Sequence, residues 1–316
     1  MFYLFIFFFI LFILYIYKKI WNFLKKDNVP TGAGIIFTFV VIILIFFQQS
    51  LYTSNYHINY FFLFILTLIY FIDDLYNLSV VIRILLQMTM GLSIAYFFFY
   101  GLDYFDFFTF IIVALVLITA SLLLTNTINF YDGADLNITV FAFLNLVVLL
   151  IVFDLNYEKI NLIIISLIFF LVFALFNYKE NNLYFGDAGS FFFAGLLIIF
   201  ICSALIDGNP KIIYLLTTLT LPILDVLYVI SYRFYLGESL HTRHFYQIYQ
   251  IAREKQRNHM YLLIQPINTV LVVLTIFILI RLGMSETYSV ILSSTFITII
   301  YYFLLRHYLL RAMIKR

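Results

Sequence analysis

Charge is scarce in this chain. Of its 316 residues only 11% are Asp, Glu, Lys or Arg, where a soluble domain carries roughly a quarter. That scarcity excludes an ordinary water-soluble fold. Cysteine is scarcer still: the single Cys202 lies in an apolar run, so no disulfide framework can form within the chain and the compartment cannot be read from thiols. The formal net charge of +2 is too small to point to nucleic acid, and no such partner is expected.

What is present in excess is hydrocarbon. Hydrophobic residues make up 65% of the chain and the mean hydropathy is +1.07. Lipid is then the solvent for most of the molecule. Because a bilayer core offers no hydrogen-bond partners, the backbone must satisfy itself, and long unbroken apolar runs select helices over a barrel. The 40 Phe and 26 Tyr are read as lipid-facing bulk and interfacial belts. An all-α polytopic membrane protein is expected.

Segments near the roughly 20 residues needed to cross the hydrocarbon fall at 2–17, 33–51, 58–74, 80–100, 107–124, 137–153, 161–177, 188–206, 211–232, 267–281 and 289–306. That predicts about eleven transmembrane helices. The first lacks a basic leader and a small-residue cleavage site, so it is expected to stay as a span. With Lys18, Lys19, Lys25 and Lys26 placed in the cytoplasm, the N-terminus is periplasmic and the C-terminus cytoplasmic. Fifteen Lys and Arg then lie inside, against Lys159, Lys211 and Arg281 outside. Such a bias is how short loops set orientation. A single integral-membrane unit, 1–316, is expected, with cytoplasmic loops near 18–32, 74–80, 125–136, 178–187 and 233–266. The outer face, with Asp103, Asp106, Asp154, Asp207 and Glu286, is read as solvated.

Carboxylates at membrane depth are costly, and such residues are functional candidates. Asp73 and Asp74 close the third run. Neighbours on a helix point about 100° apart, so one is expected to enter a cleft while the other caps or orients a partner. Asn126 and Asn129, and likewise Asp132 and Asp135, are three apart, so on a helix each pair would share a face and converge on one ligand. Gly186-Asp187-Ala188-Gly189-Ser190 opens the eighth run, where glycines permit a tight turn into a helix start whose free N–H groups favour an anion. A carboxylate beside an anion suggests a cation between them, and hard oxygen donors suit Mg²⁺. Zinc is not expected, since no Cys or clustered His accompanies these groups.

Asp225 follows Pro222 in the ninth run, as a site residue or as a structural partner of Arg233 or another inner-face cation. The last inner loop supplies His241, Arg243 and His244, and Arg matches phosphate oxygens in a bidentate fashion. Arg253 to His259 is more simply a headgroup-contacting face.

Together these patches resemble the polyprenyl-phosphate N-acetylhexosamine-1-phosphate transferases, the glycosyltransferase family 4 type that includes the phospho-MurNAc-pentapeptide translocase and the enzymes initiating O-antigen and enterobacterial common antigen. The matching patches are Val29 to Gly34; Asp73-Asp74 with Leu78-Ser79 and Arg83; Asn126 to Asp135; Asn177 with Phe185 to Ser190; and Pro222, Asp225, Arg233 and the His241 loop. Each is short, but their order and spacing over residues 29–250 are specific. Val81 stands where the family places a basic residue, and Leu136 where it places a glycine.

The resemblance implies a cytoplasmic-face active site in the bacterial inner membrane. It implies Mg²⁺, with Mn²⁺ as a substitute, at Asp187 with Asn129 a second contact. It puts Asp73 and Asp74 at the lipid phosphate and reaction centre. Substrate contacts fall to Asn126, Asp132, Asp135, Asn177, His241, Arg243 and His244. The expected partners are undecaprenyl phosphate, a UDP-N-acetylhexosamine, the bilayer and a second copy of the chain. His241 to Gln247 looks most like the O-antigen-initiating branch. The peptidoglycan-type transferase, a transporter or flippase with intramembrane carboxylates, and a non-catalytic membrane scaffold stay open as alternatives.

Overall fold

The computed structural model describes residues 1–24, 30–47, 56–76, 78–100, 106–153, 156–178, 183–238, 246–255 and 259–314. His241, Arg243 and His244 lie outside the described residues, as do Asp103 and Asp154. Every element among those described is helical: α1 (Phe2–Leu24), α2 (Gly34–Phe47), α3 (Tyr56–Tyr76), α4 (Val80–Tyr100), α5 (Phe107–Tyr131), α6 (Asn137–Val152), α7 (Tyr157–Asn177), α8 (Gly186–Ile206), α9 (Leu216–Tyr235), α10 (Ile248–Lys255), α11 (Ile264–Arg281) and α12 (Glu286–Ile314). Short 3₁₀ turns, Pro210–Leu215 and His259–Leu263, lead into α9 and α11.

Each of the eleven expected spans overlaps a helix among the described residues, the second only as far as Phe47. Nine are long and apolar enough to cross a membrane, so the chain is a polytopic membrane protein. The other two, α2 and α6, have 14 and 16 residues. At 1.5 Å per residue α6 extends about 24 Å and the described part of α2 about 21 Å. Several boundaries move. The first helix runs on through Lys18 and Lys19 to Leu24, and α5 continues to Tyr131, so Asn126 and Asn129 are helical rather than in a loop.

The described residues group into two compact units, Met1–Leu146 with Phe153–Asn209, and Val147–Val152 with Pro210–Arg316. In the first unit α8 is the central element. It is apolar on all sides and the most buried of the nine long helices, as expected of a helix surrounded by others. Helices α3, α5 and α2 pack along it. Its Phe192 and Phe193 join Phe37, Phe169, Phe170 and Phe185 in one aromatic cluster, with ring centroids 4.9–6.0 Å from Phe37. Part of the Phe content read as lipid-facing is core: Phe37, Phe141, Phe169, Phe170, Phe173, Phe185, Phe191, Phe192, Phe193 and Phe200 are fully buried, whereas others such as Phe5, Phe47, Phe108 and Phe296 are exposed.

The start of α2 crosses α8 backbone to backbone at Gly34 and Gly189. A Cβ on Gly34 would lie 2.0 Å from the Gly189 Cα. Two of the acids read as solvated, Asp106 and Asp207, are at least partly exposed and also engaged. Asp106 caps α5, accepting from the Thr109 N–H at 2.8 Å, and Asp207 pairs with Lys159 at 2.6 Å.

In the second unit, Pro222 removes an N–H from α9 and frees the carbonyl one turn back, on Thr218. The Gln265 amide of α11 donates to that carbonyl at 3.1 Å, so the break is repaired in a setting without water. Asp225 is fully buried. It accepts from the Tyr302 hydroxyl at 2.9 Å and the Ile248 N–H at 3.2 Å, with Arg306 at 4.0 Å. The inner-face cation expected for Asp225 is thus Arg306, while Arg233 turns to Glu238 at 3.4 Å. Glu286 accepts from the Tyr214 hydroxyl.

Candidate functional site

The segment Pro30–Gly34 runs against the residues that lead into α8. Tyr184 N–H donates to the Pro30 carbonyl at 2.9 Å, Ala33 N–H to Tyr184 at 3.2 Å, and Gly34 N–H to Phe185 at 2.8 Å. Gly186 turns the chain into α8 with φ +86°, and a Cβ there would meet Gly32 N at 2.5 Å and Asp74 Oδ1 at 2.6 Å. Only glycine fits both the angle and the space.

Four consecutive N–H groups at this helix start would be orphaned. Asp132 takes the first two, accepting from Phe185 N–H at 3.1 Å and Gly186 N–H at 2.8 Å. Asp74 takes the next two, from Asp187 N–H at 2.9 Å and Ala188 N–H at 3.0 Å. The anion that this start was expected to attract is therefore supplied by the protein's own carboxylates. The reason is that buried donors away from water need partners in the fold itself. Both oxygens of Asp132 are committed. Burial pushes its carboxyl up to about 8, against the pull of the Gly186 and Phe185 N–H groups, with the charges of Asp74 and Asp187 acting in the same sense as burial.

Asp132→Asn is expected to destabilise without changing shape. An amide has one acceptor, so one helix-start N–H loses its partner and faces an NH₂ group, at a cost of about 1–3 kcal/mol. Thermal unfolding in detergent should show a lowered midpoint.

With the helix start occupied, the Asp187 side chain faces other groups. The Asn129 amide donates to its Oδ1, and Asp73 lies within hydrogen-bonding reach of it. Asp73 is itself held by the Leu78 N–H at 2.6 Å and by Arg83, whose Nε is 2.7 Å from Oδ2. Two carboxylates this near each other favour a proton or a cation beside them. Rotating the Asn129 amide by half a turn would set its oxygen beside Asp187, giving two hard donors aimed at one point. Asp187 with Asn129 is the set that could hold a divalent ion. Among the described residues no group of three or more His, Cys, Asp or Glu forms a protein cage, and Mg²⁺ is commonly bound without one.

The other expected residues divide. Asn126 and Asn129 do not converge: Asn126 donates to the Leu122 carbonyl at 2.7 Å and to Gln87 at 3.3 Å, on α4 rather than α8. Helix α5 ends at Tyr131, so the shared-face argument for Asp132 and Asp135 does not apply; Asp135 is buried in the turn that follows. Asn177 is 1% exposed with both ends of its amide used, accepting from Leu136 N–H at 2.6 Å and donating to Leu183 at 2.9 Å. It ties the 132–136 turn to the approach to α8. Leu136 has φ +61°, the left-handed region where the resemblance expects glycine, at a cost of roughly 1–2 kcal/mol.

Two residues outside the expected set belong here. Gln87 is buried on α4 and donates to the Tyr70 hydroxyl at 2.8 Å, and Tyr70 stacks on Phe191 with centroids 4.5 Å apart. A polar residue four positions after Arg83 on an apolar helix was a readable signal for this side of α4.

The first unit is thus a helical membrane scaffold that gathers four carboxylates at the start of one buried helix. The model of glycosyl transferase family 4 matches residues 56–205, just under half of the chain, running from α3 through α8 and carrying Asp73, Asp74, Asn129, Asp132 and Asp187. No curated protein matches the chain. The family match supports a transferase of the polyprenyl-phosphate sugar-1-phosphate type.

Proposed function

We propose that the protein transfers a HexNAc-1-phosphate from a UDP-N-acetylhexosamine to undecaprenyl phosphate, releasing UMP and initiating O-antigen or another cell-envelope polysaccharide. An oxygen of the lipid phosphate attacks the β-phosphorus. The bond from that phosphorus to the oxygen bridging it to the α-phosphate breaks, and UMP leaves. The observation that carries this reading is that Asp74 and Asp132 together cap α8, which leaves the Asp187 carboxylate to Asn129 and Asp73.

Asp73 is a poor general base here, because the Leu78 N–H and Arg83 hold its oxygens. None is strictly needed: a phosphate monoester is largely dianionic at neutral pH. Asp187 and Asn129 would hold Mg²⁺, which when bound would neutralise phosphate charge and let two anions meet. His241, Arg243 and His244 are proposed contacts to phosphate or sugar, and the site is proposed to face the cytoplasm from the bacterial inner membrane.

The experiment is UMP release by the purified protein, screened over UDP-sugars with undecaprenyl phosphate. Release with a UDP-N-acetylhexosamine supports the reading, and a requirement for UDP-MurNAc-pentapeptide would move it to the peptidoglycan branch. Silence with every UDP-sugar would sink it. Chelation by EDTA should cut release by at least about 10²-fold, the scale of losing a preorganised charge. Mg²⁺ should restore it, and Mn²⁺ should do so in part.

A further inference from the structure

Arg83 stands in the first turn of α4, at the end of a span, and its guanidinium is only partly used. Nε lies 2.7 Å from Asp73 Oδ2. The other Asp73 oxygen accepts the Leu78 N–H at 2.6 Å, so the carboxylate is held from two sides and fixes one edge of the arginine. The Asp73 side chain is wholly buried, whereas the Arg83 side chain is 31% exposed. Its two Nη groups make no hydrogen bond to any described residue. A guanidinium carries five N–H donors in a planar fork, and the four on Nη1 and Nη2 are not used by any described residue.

The surroundings make those donors matter. Asp73, Asp74, Asp132 and Asp187 bring four carboxylates to one place, and both proposed reactants are anionic. Among the described residues Arg83 is the one cation in ion-pair contact with any of the four. It also lies within electrostatic reach of Asp187 and Tyr70. It stands in the first turn of a helix long and apolar enough to cross a membrane, the end that would lie nearest the headgroup layer.

We propose that Arg83 is a phosphate-binding residue of this site: Asp73 pins Nε, and Nη1 and Nη2 form the fork that receives the phosphate of the lipid acceptor. The inference rests on the transferase reading and names the residue that recognises one of its two substrates. The same fork could serve an ordinary phospholipid headgroup, which would make Arg83 a bilayer anchor. The chemistry is shared, so the test must separate the two sources.

Purified wild type, R83Q and R83K are compared by native mass spectrometry for binding of undecaprenyl phosphate and, separately, of phosphatidylglycerol. Steady-state KM is then measured for each substrate. R83Q should weaken undecaprenyl-phosphate binding and raise its KM by about 10- to 100-fold, the scale of charge-assisted hydrogen bonds. KM for the UDP-sugar and phosphatidylglycerol binding should not move. R83K keeps the charge but not the fork, and should lose about tenfold; it carries the test if R83Q does not fold. Unchanged lipid binding in whichever variant folds would overturn the proposal. So would equal loss of both lipids, which marks a bilayer anchor. Wild type that binds no undecaprenyl phosphate would instead bring down the transferase reading and this inference with it.

Discussion

Asp187→Asn is expected to reduce UMP release by about 10²- to 10³-fold while leaving the protein folded, the size of effect seen when a single preorganised electrostatic group is removed. The substitution keeps the shape of the side chain and the main-chain N–H that Asp74 accepts, so the start of α8 stays capped. What it removes is the carboxylate that meets Asn129 and Asp73. Two amides would then face each other where one hard anionic donor had been, and the divalent ion proposed there would lose its charged ligand. The decisive comparison pairs UMP release with the unfolding midpoint in detergent. Activity within tenfold of wild type at an unchanged midpoint would remove Asp187 from the centre of the reaction.

Gly34→Ala should instead destroy the fold at its tightest point. The new Cβ would sit 2.0 Å from the Gly189 Cα, 2.7 Å from the Gly189 N and 3.0 Å from the Phe185 carbonyl. These are backbone atoms, so no side chain can rotate out of the way. The α2 start must move off α8, and with it goes the Gly34 N–H bond to Phe185 at 2.8 Å. Overpacking of side chains alone costs about 1–3 kcal/mol, and a backbone clash that also breaks this bond belongs at or above the top of that range. Loss of folded protein in size-exclusion chromatography is the expected readout, and near-native yield and midpoint would show that the crossing is looser than described.

Both expectations concern the same few residues, and the sequence announced those residues unevenly. The spans were readable because apolar length is a local property, and each of the eleven expected segments overlaps a helix among the described residues. Where the reading slipped, neighbours decided. Residues 125–131 look like a loop because they are polar, yet they continue α5 as helix, since their polar groups find partners on α4 and α8. The Phe content reads as lipid-facing because hydropathy cannot tell lipid from core, and both are hydrocarbon.

The paired aspartates show the same limit at the site. That one would cap and the other face a partner follows from the turn angle of a helix. That the capping residue is Asp74, and that Asp73 takes Arg83 and approaches Asp187, could not be read. Asn177 was expected as a substrate contact, and that it also ties two backbone segments together could not be read from the sequence.

By itself the amino-acid order determined the solvent, the helical class and the chemistry on offer: a chain this apolar must close its hydrogen bonds within helices, and its few acids must sit where something compensates them. Which acids cap a helix start and which is left to Asn129 and Asp73 was decided only in three dimensions. The bonds that separate them join residues 53 to 114 positions apart. A carboxylate's role is the sum of the donors and charges around it, and those come from other helices.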